Sequence, residues 1–589
     1  MTDHVEVRRG AYHDSVSLMQ VSRQVAATAG VTAAQVAMAT DLNVDVIRGM
    51  GFEVPADARP NDLLLAVRGE DDAAVQAALA TAATALAGLH SASQQAGGFG
   101  DTPPPRTLGR AVDAAGATLA LVSVPGPHAV VEALDAIDRG VSVMVFSDNV
   151  PVEDEVLLKD LAAERDVLVM GPDCGTAVVG GVALGFANVV RRGPVGIVAA
   201  SGTGAQQILA LLDAAGLGVS HCLGVGGRDL STAVAGRSTR QALAALAADE
   251  GTERIVVVSK PPAPEVLADL EAYAAGLAVP VHWATLGPGR PDLTTAVEEV
   301  VAATGVELGE GWPPRWRPVL ESGPWPPEAA EPQASAQPEV VAQPEVAAQP
   351  DATAQAEARE QPEAAEPQVA AASERPEAVD PLADVPDRDL GSPTWTLGSS
   401  LSDRGGQDRR DRAKTFLRGL FCGGTLADEA MLVAGEALGP IRSNTPLSPD
   451  LALGADLRAD GHVVIDFGDD ALTRGRAHPM IDPSLRMERI AAEASDPGCG
   501  VLLLDLVLGH GAHPDPAPEL AAAIEAARAT AAEAGRELPV VVSLTGTPGD
   551  PQDLFACADQ LSAAGAHVHL SNAAAARHAV ELLAPGEDR

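Results

Sequence analysis

Aromatic residues are scarce in this chain, at 3% of 589 residues, although 46% of the residues are hydrophobic. Its cores must therefore be packed mainly from Ala, Val and Leu. The five cysteines are scattered and include no CxxC pair, a pattern that indicates a reducing compartment and argues against a disulfide framework or a zinc site. No apolar run approaches the ~20 residues of a membrane span, and the polar N-terminus at 1–9 does not resemble a signal peptide. These absences predict a soluble cytoplasmic protein.

Positive charge is also in short supply. The chain has 40 Lys and Arg residues against 81 Asp and Glu, which gives a formal net charge of −41. Without a sustained basic stripe, such a chain is a poor partner for nucleic acid or anionic membranes. Any phosphate ligand must therefore be held locally, by backbone amides and a few cations.

The length of the chain predicts about three or four domains. Strand and helix patterns alternate over most of it, and this spacing is typical of parallel α/β sheets that bind ligands at the carboxyl ends of their strands. A segment rich in Pro, Ala, Glu and Gln interrupts the pattern and is predicted to be a disordered linker. The predicted boundaries are 1–98, 106–190, 191–305, 306–412 (the linker) and 413–589.

The most informative stretch begins at Gly193. It predicts a buried strand over Val195–Ala200, a turn of small residues and a helix over Ala205–Ala215. Such a turn exposes unpaired N–H groups at the positive end of a helix dipole, a geometry that binds phosphate or carboxylate. An ordinary strand-to-helix turn is the alternative. The candidate anion-binding residues here are Ser201, Gly202, Thr203 and Gly204.

Several other predicted strand ends carry glycine, a small polar residue and an occasional charge. A second glycine turn opens a helix on the far side of the linker, so two helix N-termini could face one shared anion. Fixed dipoles of this kind would stabilise a phosphoryl or acyl-phosphate group without a covalent step. The further candidate anion-binding residues are Gly226, Gly227, Arg228, Gly423, Gly424 and Thr425.

Motifs along the chain resemble the succinyl-CoA synthetase subunits. The segment 196–203 resembles the phosphate-facing helix of the α subunit, and 124–134 resembles the proline-led helix of its CoA-binding domain. The segments 501–513 and 540–549 resemble the ligase domain of the β subunit. The resemblance is closer to the FdrA family, on five motifs that follow that family's order: Gly171–Ala177 with Leu184–Arg192, Ser259–Pro262, Gly423–Leu426 and Gly511–Pro516.

This resemblance implies a multidomain α/β fold. The expected parts are a small N-terminal domain, a Rossmann-like CoA-binding-type domain, and flavodoxin-like succinyl-CoA-ligase-type domains on either side of the linker. It also implies that Pro125, Pro127, Asp173 and Cys174 contact a cofactor, for which CoA is the candidate. FdrA proteins are labelled acyl-CoA synthetases, and some are associated with oxamate carbamoyltransferase together with two companion subunits. Phosphate or a carbamoyl or acyl phosphate is the expected ligand, and no metal ligand set is evident.

The sequence also departs from the synthetase pattern. The α subunit's phosphorylated histidine lies in a loop that corresponds to 285–290 here, and this stretch contains no histidine. The glutamate that orients that histidine is replaced around Ser259–Lys260, and the early glycine loop that holds CoA is not evident. A phosphohistidine relay is therefore not expected.

Two residues are the candidate catalytic groups. Lys260, at a strand end among small residues, is a compact cation for phosphate or a carboxylate, or else a solvated surface lysine. His513 could act as an acid or base or stabilise an oxyanion, but a turn histidine bonded to backbone is equally consistent with its position. Weaker candidates are His510, the possible nucleophile Cys174, and the possible carboxylate clamps Arg228, Arg290 and Arg442.

The preferred functional hypothesis is a subunit that converts oxalurate and phosphate into oxamate and carbamoyl phosphate. The alternatives are an ATP-dependent acyl-CoA synthetase and a non-catalytic scaffold for companion subunits. The expected partners are a small carboxylate and companion subunits encoded nearby, and a homo-oligomer is left open as a further alternative.

Overall fold

A computed structural model of the chain describes residues 1–11, 13, 15–55, 57–95, 105–309, 311–316, 415–473 and 477–583. These residues form four β-sheets with helices packed on their faces. The predicted α/β class is confirmed, with parallel pairing in three of the four sheets. None of the helices in these ranges combines the length and apolar character needed to cross a membrane.

The N-terminal unit is a three-stranded antiparallel sheet with the order β1-β3-β2. The central strand is buried over its five apolar residues, which explains its continuous hydrophobic run. Small Ala78 and Ala82 let the long third helix pack closely on the sheet. The elements are β1 (Thr2–Arg8), α1 (Ser15–Ala26), β2 (Val31–Met38), α2 (Asp41–Gly49), β3 (Leu63–Gly69) and α3 (Asp72–Gln95).

The second unit is a small parallel sheet with the order β4-β5-β6. Its core contains Ala129, Ala133 and Ile137, spaced along one helix face that covers the sheet. The elements are α4 (Leu108–Ala115), β4 (Leu119–Val122), α5 (Gly126–Asp138), β5 (Ser142–Val145), α6 (Val152–Glu164) and β6 (Val169–Met170).

The third unit is a six-stranded sheet with the order β12-β11-β9-β10-β7-β8. All six residues of the central strand β9 are buried, as expected for a parallel strand covered on both faces. The elements are β7 (Thr176–Val179), β8 (Val182–Gly185), β9 (Val195–Ala200), α7 (Gly202–Ala214), β10 (Val219–Gly224), α8 (Arg237–Ala248), β11 (Arg254–Ser259), α9 (Pro264–Ala274), β12 (Val281–Thr285) and α10 (Leu293–Thr304).

Strands β7 and β8 do not belong to the sheet that the sequence assigned them to. The predicted boundary at residue 190 places them with the preceding unit, but β7 pairs with β10 through Val178 and Cys222. Both residues are buried in the core of the six-stranded sheet. The six-stranded sheet therefore begins at Thr176, earlier in the chain than the predicted boundary at residue 190.

The C-terminal unit is a seven-stranded sheet with the order β13-β19-β18-β17-β14-β16-β15. Its elements are β13 (Arg315–Trp316), β14 (Phe416–Phe421), α11 (Gly424–Leu438), β15 (Ile441–Ser443), β16 (His462–Asp466), α12 (Asp470–Thr473), α13 (Ser484–Ser495), β17 (Cys499–Val507), α14 (Ala517–Glu533), β18 (Val540–Thr545), α15 (Leu554–Ala563), β19 (Ala566–His569) and α16 (Asn572–Leu583).

The first residues of the predicted linker are part of this C-terminal sheet. Strand β13 pairs antiparallel with β19, and Trp312 and Trp316 pack against its core. Partial burial of these two large aromatic side chains accounts for this order within a segment predicted to be disordered. The rest of that prediction, beyond residue 316, lies outside the described residues.

A buried ion network joins the second unit to the third. Lys159 of α6 donates hydrogen bonds to Glu155 Oε1 at 2.7 Å, to Asp229 Oδ1 at 2.7 Å and to the Val225 carbonyl at 2.9 Å. All three charged side chains are buried. Asp229 also accepts hydrogen bonds from the first turn of α8, so one cluster fixes α6, α8 and the loop after β10.

Substitution Lys159→Met should lower the free energy of unfolding by about 3–5 kcal/mol, because it leaves two buried carboxylates without their ammonium partner. Urea unfolding followed by circular dichroism measures this change. Asp269→Ala, which breaks the solvent-exposed pair with Arg240, is the control and should leave the midpoint nearly unchanged. Equal midpoints for the two variants would contradict this account of the network.

Candidate active site

The two glycine turns meet between the third and C-terminal units. Ser201 Oγ and Thr425 Oγ1 lie 2.6 Å apart and share a hydrogen bond, and both residues are buried. The two turns also pack closely elsewhere, since a Cβ atom added at Gly423 would lie 2.9–3.0 Å from the Thr203 side chain. One added at Gly204 would lie 3.0 Å from Thr425 Cγ2. The N-termini of α7 and α11 therefore lie side by side at one junction.

Each turn leaves backbone N–H groups unpaired. In the part of the chain that the structure describes, the amides of Gly202, Thr203, Gly424 and Thr425 have no acceptor. Gly204 differs, because its N–H donates to Ser201 Oγ at 2.9 Å in a side-chain cap. The free amides and the two helix dipoles together form a local positive potential without side-chain charge.

The second turn is shaped by a buried carboxylate in strand β17. Asp505 accepts hydrogen bonds from the amides of Cys422 at 2.8 Å and Gly423 at 2.9 Å. Its charge is balanced by Arg486, whose Nη1 lies 2.7 Å from Asp505 Oδ1. The Gly423 amide, predicted to bind an anion, is therefore already paired and shapes the turn instead. The signal for Asp505 was a single acidic residue within the apolar run 501–508.

Lys260 lies at this junction, at the end of β11. A Cβ atom added at Gly424 would be 2.7 Å from Lys260 Nζ, so the ammonium group sits over the first turn of α11. Its side chain is 42% exposed, and its Nζ lies 3.8 Å from Asp428 Oδ2. The prediction that Lys260 and the two glycine turns occupy one site is consistent with this geometry. That the site binds an anion stays a prediction.

Two buried aspartates flank the lysine and were not singled out from the sequence. Burial raises the pKa of Asp466 to about 7 and the pKa of Asp428 to about 6, while the charge of Lys260 opposes both shifts. A buried carboxyl with a pKa near neutrality holds a proton that it can gain or lose at physiological pH. The sequence signal was weak: an aspartate closes the apolar strand β16, and another lies in the first turns of α11.

The loop Gly226–Arg228 lies beside Asp173, since a Cβ atom added at Gly227 would lie 3.8 Å from Asp173 Oδ2. The Asp173 side chain is exposed at the surface, although many protein atoms surround it. Its pKa is raised to about 6, first by desolvation and then by the negative charges of Asp470 and Asp148. Arg228 is already engaged, since its Nη2 lies 2.9 Å from Glu155 Oε2 and donates to the Val150 carbonyl at 2.8 Å. Arg228 is therefore a half-exposed structural cation rather than a free clamp for a substrate carboxylate.

Helices α7 and α11 each make side-chain hydrogen bonds to the unit on the other side of the junction. From α7, Gln206 donates to the Leu508 carbonyl at 3.2 Å and Gln207 to the Leu570 carbonyl at 2.9 Å. From α11, Glu429 accepts the Leu293 amide at 2.7 Å at the start of α10. Burial raises the pKa of Glu429 to about 7. Each helix is thus anchored on the opposite unit, which fixes the spacing of their N-termini.

His513 does not reach this junction through any contact in the described residues. Its Nδ1 accepts the Asp515 amide at 3.0 Å, and its own amide donates to the Met480 carbonyl. This is the backbone-bonded turn histidine that the sequence left open as an alternative. His510 is exposed, with its amide bonded to the Ala187 carbonyl.

Cys174 is buried, and burial raises the pKa of its thiol to about 12. Such a thiol is neither a nucleophile at neutral pH nor open to a cofactor, so both predicted roles for Cys174 conflict with the structure. The predicted clamps Arg290 and Arg442 bind local partners, Glu271 with Thr285 and two carbonyls of the 450–452 turn, respectively.

Pro125 is the N-cap of α5 and Pro127 lies in its first turn, and both are exposed. That they contact a cofactor stays a prediction. The turn packs tightly against the next strand end, since a Cβ atom on Gly126 would lie 2.2 Å from the Asp148 carbonyl oxygen. Carbonyl oxygens and the nearby acidic side chains make this a weak environment for the phosphates of CoA.

Comparison with known proteins shows the family of the chain. It is 34% identical to YahF of Escherichia coli (strain K12), over 100% of both chains. The chain belongs to the YahF family. Residues 420–582 match the CoA-ligase family model, so the C-terminal unit of this YahF-family protein has the CoA-ligase fold. Residues 1–102 match a model described as AllF, heavy metal-associated domain.

Part of the chain is also similar to ligase subunits. It is 30% identical to the succinate–CoA ligase (ADP-forming) α subunit of Aquifex aeolicus, over 26% of this chain and 51% of that subunit. It is 28% identical to the malate–CoA ligase α subunit of Methylorubrum extorquens, over 26% of this chain and 53% of that subunit. The matches thus span about half the length of these relatives.

Two solved structures are similar at low identity. The dinucleotide-forming acetyl-coenzyme A synthetase 1 of Ca. Korarchaeum cryptofilum covers 79% of this chain and 83% of its own, with 13% identity and a TM-score of 0.23. ATP citrate lyase of Methanothrix soehngenii covers 35% of this chain and 38% of its own, with 14% identity and a TM-score of 0.26.

The described residues of the N-terminal unit do not offer the ligands that its family model's description implies. Residues 1–102 contain no cysteine, the soft ligand that heavy metals prefer. Within the described ranges, no group of three or more His, Cys, Asp or Glu side chains is arranged to hold a metal ion. In this YahF-family chain the residues of the unit that the structure describes therefore do not fit a heavy-metal site.

Substitution Gly424→Ala should reduce the affinity for inorganic phosphate at least about tenfold, because the added methyl group would displace both Lys260 and Asp466 from the first turn of α11. Isothermal titration calorimetry measures the affinity. Gly435→Ala is the matched control in the same helix, where an added Cβ meets nothing within 4 Å. Equal phosphate affinity in both variants would show that this turn is not the anion site.

Proposed function

We propose that this protein is an FdrA-type enzyme subunit that binds the phosphate group of a small acyl or carbamoyl phosphate between the N-termini of α7 and α11. The observation that carries the proposal is the 2.6 Å contact of Ser201 Oγ with Thr425 Oγ1, with Lys260 directly above Gly424. Free amides from two helices and one ammonium group converge there. Such a site favours a compact anion of two or more charges.

The preferred reaction is carbamoyl transfer between oxalurate and phosphate. A phosphate oxygen attacks the ureido carbon of oxalurate, the bond from that carbon to the oxamate nitrogen breaks, and the nitrogen takes up a proton. This chemistry depends on positioning and charge stabilisation rather than on a nucleophilic side chain. Two features support it: the segment 285–290 has no histidine, and the thiols of Cys174 and Cys422, both with raised pKa values, are protonated at neutral pH.

Acid–thiol ligation is the second candidate, and the similarity to succinate–CoA and malate–CoA ligase α subunits favours it. CoA would then bind near Pro125, Pro127 and Asp173, where its thiol would attack an acyl phosphate held at the helix N-termini. The acidic surroundings of Asp173 count against this candidate. A companion subunit would supply the nucleotide site in this case.

The deciding experiment is a product assay on the chain purified together with the subunits encoded beside it. We expect phosphate-dependent release of carbamoyl phosphate from oxalurate. A coupled enzymatic reaction that consumes carbamoyl phosphate detects this product. The parallel reaction contains ATP, CoA and succinate or malate, and is followed by thioester absorbance. Thioester without carbamoyl phosphate would establish the ligase. Full activity of the companions alone would assign this chain a scaffold role.

Substitution Lys260→Ala should lower turnover by about 10²–10³-fold, because one preorganised cation is lost from the site where negative charge is bound. Lys260→Arg should recover only part of the rate, since a planar guanidinium does not fit the space over Gly424 in the same way. Steady-state assays of the co-purified complex measure both. The control is Arg442→Ala, an exposed cation outside the junction; if it slowed the reaction as much as Lys260→Ala, the assignment would be wrong.

A further inference from the structure

Asp466 is a buried side chain directed at the junction of the two helices. It ends strand β16 and is 4% exposed. Its Oδ1 accepts the Gly468 amide at 2.9 Å. Its Oδ2 lies 2.5 Å from the position of a Cβ atom added at Gly424, next to the first turn of α11. No donor within the described residues is bonded to Oδ2, so this oxygen is free to contact a bound anion.

The charged groups around Asp466 come from four elements. Lys260 approaches from the end of β11 and has Asp428 of α11 as its nearest carboxylate, at 3.8 Å. Asp505 of β17 is already balanced by Arg486 of α13. These groups leave no cation paired with Asp466 itself.

Two further titratable groups lie near Asp466. One is the Cys422 thiol, which stays neutral because burial raises its pKa well above the usual value, and the other is the His478 ring. A Cβ atom on Gly468 would lie 2.9 Å from His478 Nε2 and 3.1 Å from Asp466 Oδ1, so the two side chains share that space. Burial lowers the pKa of His478 to about 4, so its ring is neutral at physiological pH. His478 therefore cannot supply a compensating positive charge.

An ionised carboxylate in this position would repel the phosphate group that the adjacent amides attract. A neutral carboxyl group would instead donate its O–H to a phosphate oxygen, as the amides donate their N–H. The same side chain is thus an obstacle in one protonation state and a ligand in the other.

We propose that Asp466 binds the anion as a neutral carboxyl group, donating a hydrogen bond from Oδ2 to a phosphate oxygen, so that anion binding takes up one proton from solution. This inference rests on the proposed function, because it assumes that phosphate binds at the paired helix N-termini. No bond other than the O–H bond of the carboxyl group is formed, and the proton comes from the buffer.

The sign of the pH dependence follows from the pKa of Asp466. Burial raises that pKa to about 7 in the free protein, and a bound dianion raises it further. Below about pH 6 the carboxyl group is already protonated, so the affinity reaches a plateau there. Above pH 7 each binding event must recruit a proton, so the affinity falls with rising pH.

The test is calorimetric binding of inorganic sulfate to the full chain between pH 6 and pH 9. Sulfate keeps a constant charge over this range, so any pH dependence belongs to the protein. We expect uptake of close to one proton at pH 8, measured in two buffers of different protonation enthalpy. The affinity should approach a tenfold loss for each pH unit above 7.

Substitution Asp466→Asn replaces the neutral carboxyl group with an amide that donates a hydrogen bond at every pH. Its sulfate affinity should be independent of pH, and at pH 8.5 it should exceed that of the wild type about tenfold. Asp428→Asn removes a carboxyl group of α11 that also lies beside Lys260. It should raise the affinity but keep the pH slope above 7, because Asp466 remains.

Two results would overturn the inference while leaving the proposed function in place. One is sulfate binding by the wild type without proton uptake, and the other is an unchanged pH slope in Asp466→Asn. The buffer comparison on the wild type decides the question even if the variant does not fold. Absence of sulfate binding at every pH would overturn the proposed function together with this inference.

Discussion

The contact between Ser201 and Thr425 is the constraint on which the rest of the structure depends. It brings together two helices from different sheets, separated by 224 positions in the chain, and leaves their first amides unpaired on the same side. Two helix dipoles that converge without a counter-ion are unfavourable by themselves. The anchors at Gln206, Gln207 and Glu429 hold them in place, so the positive potential is maintained by packing rather than by basic side chains.

This arrangement explains how so acidic a chain could bind an anion. Lys260 is the cation at the junction, and Asp428 and Asp466 stand beside it. The two carboxyl groups would cancel the lysine if both were ionised. Their raised pKa values mean that the net charge of the site changes with proton uptake near neutral pH. Charge at the junction is therefore adjustable, whereas the backbone amides are fixed.

Buried charge has a second task elsewhere in the molecule. Lys159 with Glu155 and Asp229 fixes the loop after β10, and Asp505 with Arg486 fixes the turn before α11. In both places a carboxylate binds the backbone amides of a turn or helix start. These networks set the loop shapes that bring Gly226–Arg228 and Gly423–Thr425 to the strand ends. Arg228 already pairs with Glu155 of this network and is therefore not a free ligand for substrate.

The sequence by itself determined the alternating strand–helix order, including the bounds of β9, because local hydrophobic patterns and glycine turns specify such elements. It also identified both glycine turns and Lys260. Only the tertiary structure decided that these lie together, that β7 and β8 join the six-stranded sheet, and that Asp466 faces Gly424. The reason is that pairing across sheets, burial and the resulting pKa shifts depend on residues hundreds of positions apart, which no local pattern records.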